Sequence, residues 1–119
     1  MTELTISEER VAQGIALLDE YNADWWTLVE LDTLDLNSPW ECILGQVFRP
    51  ENEMMDSGYN IGLQKLGLTS GAHGLIPVRR AAMFGFAIKD DEKVWRRVIK
   101  ARQDKARKAE NPQYELVAA

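Results

Sequence analysis

One thiol and one imidazole, Cys42 and His73, are the only soft or imidazole side chains in this chain. A Cys–His nucleophile pair needs the two side chains in contact and a third group to orient the base. Cys42 flanks the apolar stripe of an expected helix, where a free cysteine reads as a core residue. His73 lies in a glycine-rich stretch and reads as a loop histidine. One Cys and one His cannot close a structural zinc site, which takes four ligands. Asp32 and Asp35 with Asn37 hint at a calcium loop, but the alternating spacing, central glycine and terminal bidentate glutamate are missing, so they read as solvated acids. Gly62 to Gly67 has the glycine spacing of a phosphate-binding loop, yet Leu68 stands where the Lys-Ser/Thr pair must begin. The expectation is therefore no enzyme, no metal and no cofactor.

Charge is the next candidate for function. The net charge of −5 is unevenly placed. Residues 1–56 carry thirteen acids against Arg10 and Arg49, and residues 57–119 carry twelve Lys/Arg against six acids. Such polarity implies two faces of opposite potential, either docked on each other, solvated or offered to a partner. Lys93, Arg96, Arg97, Lys100, Arg102, Lys105, Arg107 and Lys108 fall within sixteen residues, a stripe able to neutralise phosphates. No aromatic residue follows Trp95 inside it, so a base-stacking platform is not indicated. Leu63 to Thr69 resembles the first helix and turn of a helix-turn-helix. The following segment, Ser70 to Ile76, is short, glycine-containing and offers no Arg, Lys, Asn or Gln to read base edges.

These groups have to be positioned by helices. Thr5-Ile6-Ser7-Glu8 fits a capping box that starts a first helix with Val11, Ile15 and Leu18 on its inner face and Asn22 as its stop. Asp24 to Val29 reads as a short helix or an extended piece, and Leu31 to Leu36 as irregular. Ser38-Pro39-Trp40-Glu41 predicts the start of a second helix, capped by Ser38 and carrying Trp40, Ile43, Leu44, Val47 and Phe48 on one face until Pro50. A third helix is expected from Asp56 or Ser57 to Leu66 with Gly67 as its C-terminal cap. Thr69 to Pro77 reads as loop, and Val78 to Ile88 as a short helix broken near Gly85 or an extended piece. The last helix begins at Asp90 or Asp91, buries Val94, Trp95, Val98, Ile99 and Arg102, and projects beyond Arg102 until Asn111-Pro112. Four Trp in 119 residues, each able to bury on the order of 150–250 Å², suffice to organise one core.

The expected fold is all-α: one domain over 1–119, a compact bundle of four main helices with irregular connectors, a projecting basic C-terminal helix and a loose tail from about residue 110. No apolar run approaches the ~18 residues that span a bilayer, and the acidic N-terminus lacks a signal-peptide pattern. A cytoplasmic protein with no disulfide is expected.

The stretch Leu34 to Phe48, with Cys42-Ile43-Leu44-Gly45-Gln46 at its centre, and the stretch Gly58 to Leu68 resemble a family of small uncharacterised proteins from actinobacteria and their phages. Gly85-Phe86 and Val94 to Ile99 also look like that group. The resemblance covers about residues 8–102. It implies no activity and no site residue, only a context, that of a phage- or prophage-encoded accessory protein in the host cytoplasm.

The leading expectation is a non-enzymatic protein that binds and modulates a host protein. Partner contacts are expected from Lys93, Arg96, Arg97 and Lys100 on the basic helix, Asp32 and Asp35 in the acidic half, and Trp25 and Trp26 as anchors. For Trp25 and Trp26 core placement is the leading reading, with an exposed anchor as its alternative. A nucleic-acid-binding regulator using the basic helix, or an acidic DNA mimic that blocks a defence protein, are the competing expectations.

Overall fold

The computed structural model describes residues 4–52, 56–68 and 76–110. Five α-helices and two 3₁₀ turns make up its regular structure, with no strand among the described residues. Helix α1 spans Ile6–Tyr21 and opens on the expected capping box: Thr5 Oγ1 accepts from Glu8 N at 3.0 Å, and Thr5 N donates back to Glu8 Oε1 at 3.1 Å. Asn22 closes it. Trp25–Leu28 forms a single 3₁₀ turn, and residues 29–42 are irregular.

The second helix differs from expectation. Ser38 Oγ does cap a turn, accepting from Trp40 N and Glu41 N at 3.2 and 3.1 Å. Cys42 then adopts an extended conformation, which ends that turn and starts a new helix, α2, at Ile43–Val47. Cys42 caps it through Sγ, which accepts from Gly45 N at 3.2 Å. Trp40 therefore lies outside the helix rather than at the head of its buried stripe. Helix α3, Gly58–Lys65, is capped by Ser57. It ends on Gly67 at φ +76°, where Leu68 N reaches back to Leu63 O at 2.8 Å, the left-handed closure that glycine makes without strain.

Helix α4 covers Ile76–Met83, so Pro77 lies in a first helical turn and does not end a loop; its missing N–H costs nothing there. Residues 69–75, with His73 and the expected second helix of a helix-turn-helix, lie outside the described residues, as do the tail from 111 and its Pro112 stop. Gly85, at φ +78°, closes α4 by the same device as Gly67, with Phe86 N bonded to Ala81 O at 2.9 Å. A 3₁₀ turn at Lys89–Asp91 leads into α5, Glu92–Glu110. Asp91, expected as a cap, instead directs its fully buried carboxylate to Arg10, which grips both oxygens at 2.8 and 2.7 Å.

The core is aromatic at its centre. Trp95 stacks on Phe86 at 5.5 Å and meets Trp25 edge-on at 5.8 Å, and all three are buried. Each indole N–H is satisfied, Trp95 Nε1 by Gly85 O at 2.6 Å and Trp25 Nε1 by Asp19 Oδ1 at 2.8 Å. Val11, Leu18, Ile43, Leu44, Leu63 and Ile99 complete the interior. Residues 26–36 have few backbone bonds of their own, and α5 supplies several of their partners. Arg96 donates to Leu31 O and Leu34 O at 2.6 Å each, Gln103 donates to Trp26 O and Val29 O, and Glu92 accepts from Leu36 N.

Candidate partner-binding groove

Among the residues expected to face a partner, Arg96 lies against the loop that carries Asp32 and Asp35, donating to Leu31 O and Leu34 O. Trp25 is wholly buried and belongs to the core, which removes it as a surface anchor. Trp26 is half-buried against that core. Arg96 is committed to two loop carbonyls and to Glu92. Arg97 reaches Glu8 at 3.2 Å, and Lys100 reaches Asp104 at 2.9 Å. Arg102 clasps Asp19 through both terminal nitrogens, 2.6 and 2.9 Å, and lies 5.6 Å from the Trp25 ring centroid. Asp35 accepts from Lys89 at 2.9 Å. Lys93 and Asp32 are exposed and take part in none of the ion pairs among the described residues.

Arg96, Arg97 and Arg102 of the basic helix thus engage the acidic half of the chain, Lys100 and Arg107 pair with Asp104 of their own helix, and Lys105 and Lys108, like Lys93, are exposed and outside the ion pairs among the described residues. The electrostatics register these contacts. The Arg102 hydrogen bonds hold Asp19 below the usual carboxylate range, the Lys89 hydrogen bond does so for Asp35, and the Thr5 backbone N–H does so for Glu8. Burial pushes the Cys42 thiol up to about 11 and also raises the Tyr59 phenol. A thiol so disfavoured as thiolate is a poor nucleophile. Among the described residues no group of three or more His, Cys, Asp or Glu side chains could hold a metal ion, and no helix is long and apolar enough to cross a membrane.

A different surface brings functional groups together. Trp40, Glu41, Arg49, Pro50 and Glu51 line an open cavity of about 570 Å³. A second, of about 320 Å³, is lined by Leu28, Glu30, Thr33, Glu41, Gln46 and Arg49. Glu41 and Arg49 border both, so the two adjoin across this ion pair and are described together as the groove. Its walls follow from local sequence. The Ser38-capped turn sets the backbone of Trp40 and Glu41. The end of α2, with Phe48 as its cap residue, sets Arg49 and Pro50. Gln46, nearly fully buried, ties the walls together. Its Oε1 accepts from Glu30 N at 2.6 Å, and its Nε2 donates to Glu30 O and Glu41 O at 3.2 and 3.0 Å.

Three carboxylates, Glu30, Glu41 and Glu51, border the groove beside the half-buried indole of Trp40 and the half-exposed Leu28. One cation lies among them. Arg49 donates from Nη2 to Glu41 Oε2 at 3.0 Å and to Trp40 O at 3.2 Å. Carboxylates accept hydrogen bonds from guanidinium and ammonium groups, and an indole face attracts cations. The arrangement is suited to holding a positively charged group, and among the described residues it includes no group of three or more His, Cys, Asp or Glu side chains that could hold a metal ion.

Sequence reasoning passed over these groove residues. The available signal was that Arg49 is the sole base between Arg10 and Lys65, so a guanidinium there had to sit among acids. No family model, curated protein or solved structure matches the chain.

Proposed function

We propose that this chain is a phage-type accessory protein that acts in the host cytoplasm by binding and modulating a host protein, without chemistry of its own, and that the groove around Glu41 and Arg49 is its contact surface. The observation that carries this reading is the unequal fate of the charges. Most bases of α5 are tied to acids or carbonyls of the same chain, whereas Glu30 and Glu51 border the groove without an ion pair among the described residues. The charge that borders the groove is mainly acidic and lies beside the exposed apolar Leu28. That combination favours a protein partner with a basic rim, in which charge sets association rate and selectivity. It disfavours duplex DNA as the partner, because of the α5 bases only Lys93, Lys105 and Lys108 stand outside the ion pairs among the described residues, and phosphate neutralisation by the others would require them to leave their present acceptors.

The test is capture from an actinobacterial lysate with the wild-type chain and with Glu41→Gln. The proposal expects a discrete host protein, retained at low salt and lost with the variant. Recovery of nothing above background, or equal recovery by both, would overturn it.

A further inference from the structure

Resting on that reading, we infer that the groove receives an arginine side chain from an extended segment of the partner protein, and that Arg49 is a built-in surrogate which the incoming guanidinium displaces. Arg49 already shows where a planar cation is accommodated, one carboxylate and one backbone carbonyl meeting it at 3.0 and 3.2 Å. Both contacts are made by one terminal nitrogen, Nη2, which leaves the remaining donors of an incoming guanidinium's fork for the groove's other carboxylates, a reach that a point-like ammonium lacks.

The resident contact is built to be exchangeable. The side chains of Arg49 and Glu41 are 49% and 34% exposed, and an ion pair so wetted is held weakly. Arg49 also stands at the junction of the two cavities, since it borders both. Swinging out, it opens a continuous trough from Trp40 and Glu51 to Leu28 and Glu30 that among the described lining residues holds carboxylates and no base. An extended chain suits an elongated trough. Trp40 at one end and Leu28 at the other offer apolar contact to its neighbouring side chains.

The experiment is a fluorescence-anisotropy titration of a labelled (Ala-Arg)₄ peptide with the full chain at about 50 mM salt, where surface charge is only partly screened. Four proteins are compared: wild type, Arg49→Ala, Glu41→Gln and Lys93→Ala. Lys93 is exposed and outside every ion pair among the described residues, so its removal changes net charge by the same amount as Arg49→Ala without touching the groove. Arg49→Ala is expected to bind at least about threefold more tightly than wild type, the factor set by removing an exposed competing pair. Glu41→Gln is expected to bind at least about threefold more weakly, and Lys93→Ala to change affinity by less than about twofold. Thermal melts of all four proteins verify that each is folded.

Equal gains from Arg49→Ala and Lys93→Ala, or weaker binding by Arg49→Ala, would overturn the inference, since only net charge would then matter or Arg49 would itself be part of the acceptor. If lysate capture depends on Glu41 while Arg49→Ala gives no gain, the surrogate fails and the proposed function survives. If the peptide behaves as expected but no host protein is captured, the groove's chemistry stands and the proposed function fails.

Discussion

Replacing Arg96 with alanine isolates what the basic helix does for its own chain. The guanidinium donates to Leu31 O and Leu34 O at 2.6 Å each and pairs with Glu92 at 3.2 Å. A hydrogen bond from a charged group contributes about 1.5–3 kcal/mol when its partner is left dry. Here the Arg96 side chain is 40% exposed, so water reaches the freed carbonyls and each bond reduces to about 1 kcal/mol. With the lost contact of the aliphatic stem, Arg96→Ala should destabilise by about 2–3 kcal/mol. Arg97→Ala is the internal control: its pair with Glu8 is an exposed one, the Arg side chain 65% exposed, and should contribute under about 1 kcal/mol. Urea unfolding followed by tryptophan fluorescence measures both, with unchanged slopes and a lower midpoint for Arg96→Ala alone. Equal midpoints for the two variants would refute the assignment of Arg96 as the tie between α5 and residues 31–34.

Three further outcomes follow from the same contacts. Asp91→Ala strands the guanidinium of Arg10, only 23% exposed, against the core and should cost about 3 kcal/mol, read as a lowered urea midpoint; a loss under about 1 kcal/mol would contradict a buried bidentate pair. Asp19, Asp35 and Glu8 have folded-state values below their ordinary ones, so their stabilisation is fully present above an unfolded carboxyl value of about 4 and is lost as pH falls through the lower folded values. Urea midpoints should be flat from about pH 7 to 5 and fall below about pH 4, less steeply in Asp19→Asn; midpoints that hold steady into acid would contradict the ion-pair assignments. Cys42, buried with its thiol raised to about 11, should react with iodoacetamide slowly in buffer and quickly in urea, and equal rates would place it at the surface.

The sequence displayed the devices that are local and withheld those that join distant residues. Thr5-x-x-Glu8 and Ser57 followed by Gly67 each need only a few neighbouring residues, and both were legible as helix ends. Ser38-Pro39-Trp40-Glu41 has the same local chemistry and does cap a turn, but the α2·α3 contact decides the outcome. The Tyr59 N–H bonds to Pro39 O at 3.1 Å, and Gly58 meets the Gly45 backbone so closely that a side chain would not fit, so the helix must restart at Cys42. Charge polarity was visible as a sum, whereas its use was not. That Arg102 finds Asp19 and Arg96 finds two loop carbonyls depends on how α5 lies along residues 19–34, which no spacing encodes. The groove was hidden for the same reason, because Glu30 and Glu41 are brought together by Gln46, a residue with no motif of its own, and Arg49 joins them through Glu41.

What the protein binds is set by which charge the folded chain leaves available. The most direct measurement titrates wild-type protein into labelled duplex DNA and, in parallel, into labelled (Ala-Arg)₄ peptide at about 50 mM salt. Saturable binding of the peptide with no retention of the duplex is the predicted result. Binding of the duplex with the peptide left free would mean that the α5 bases are available after all and would contradict the account.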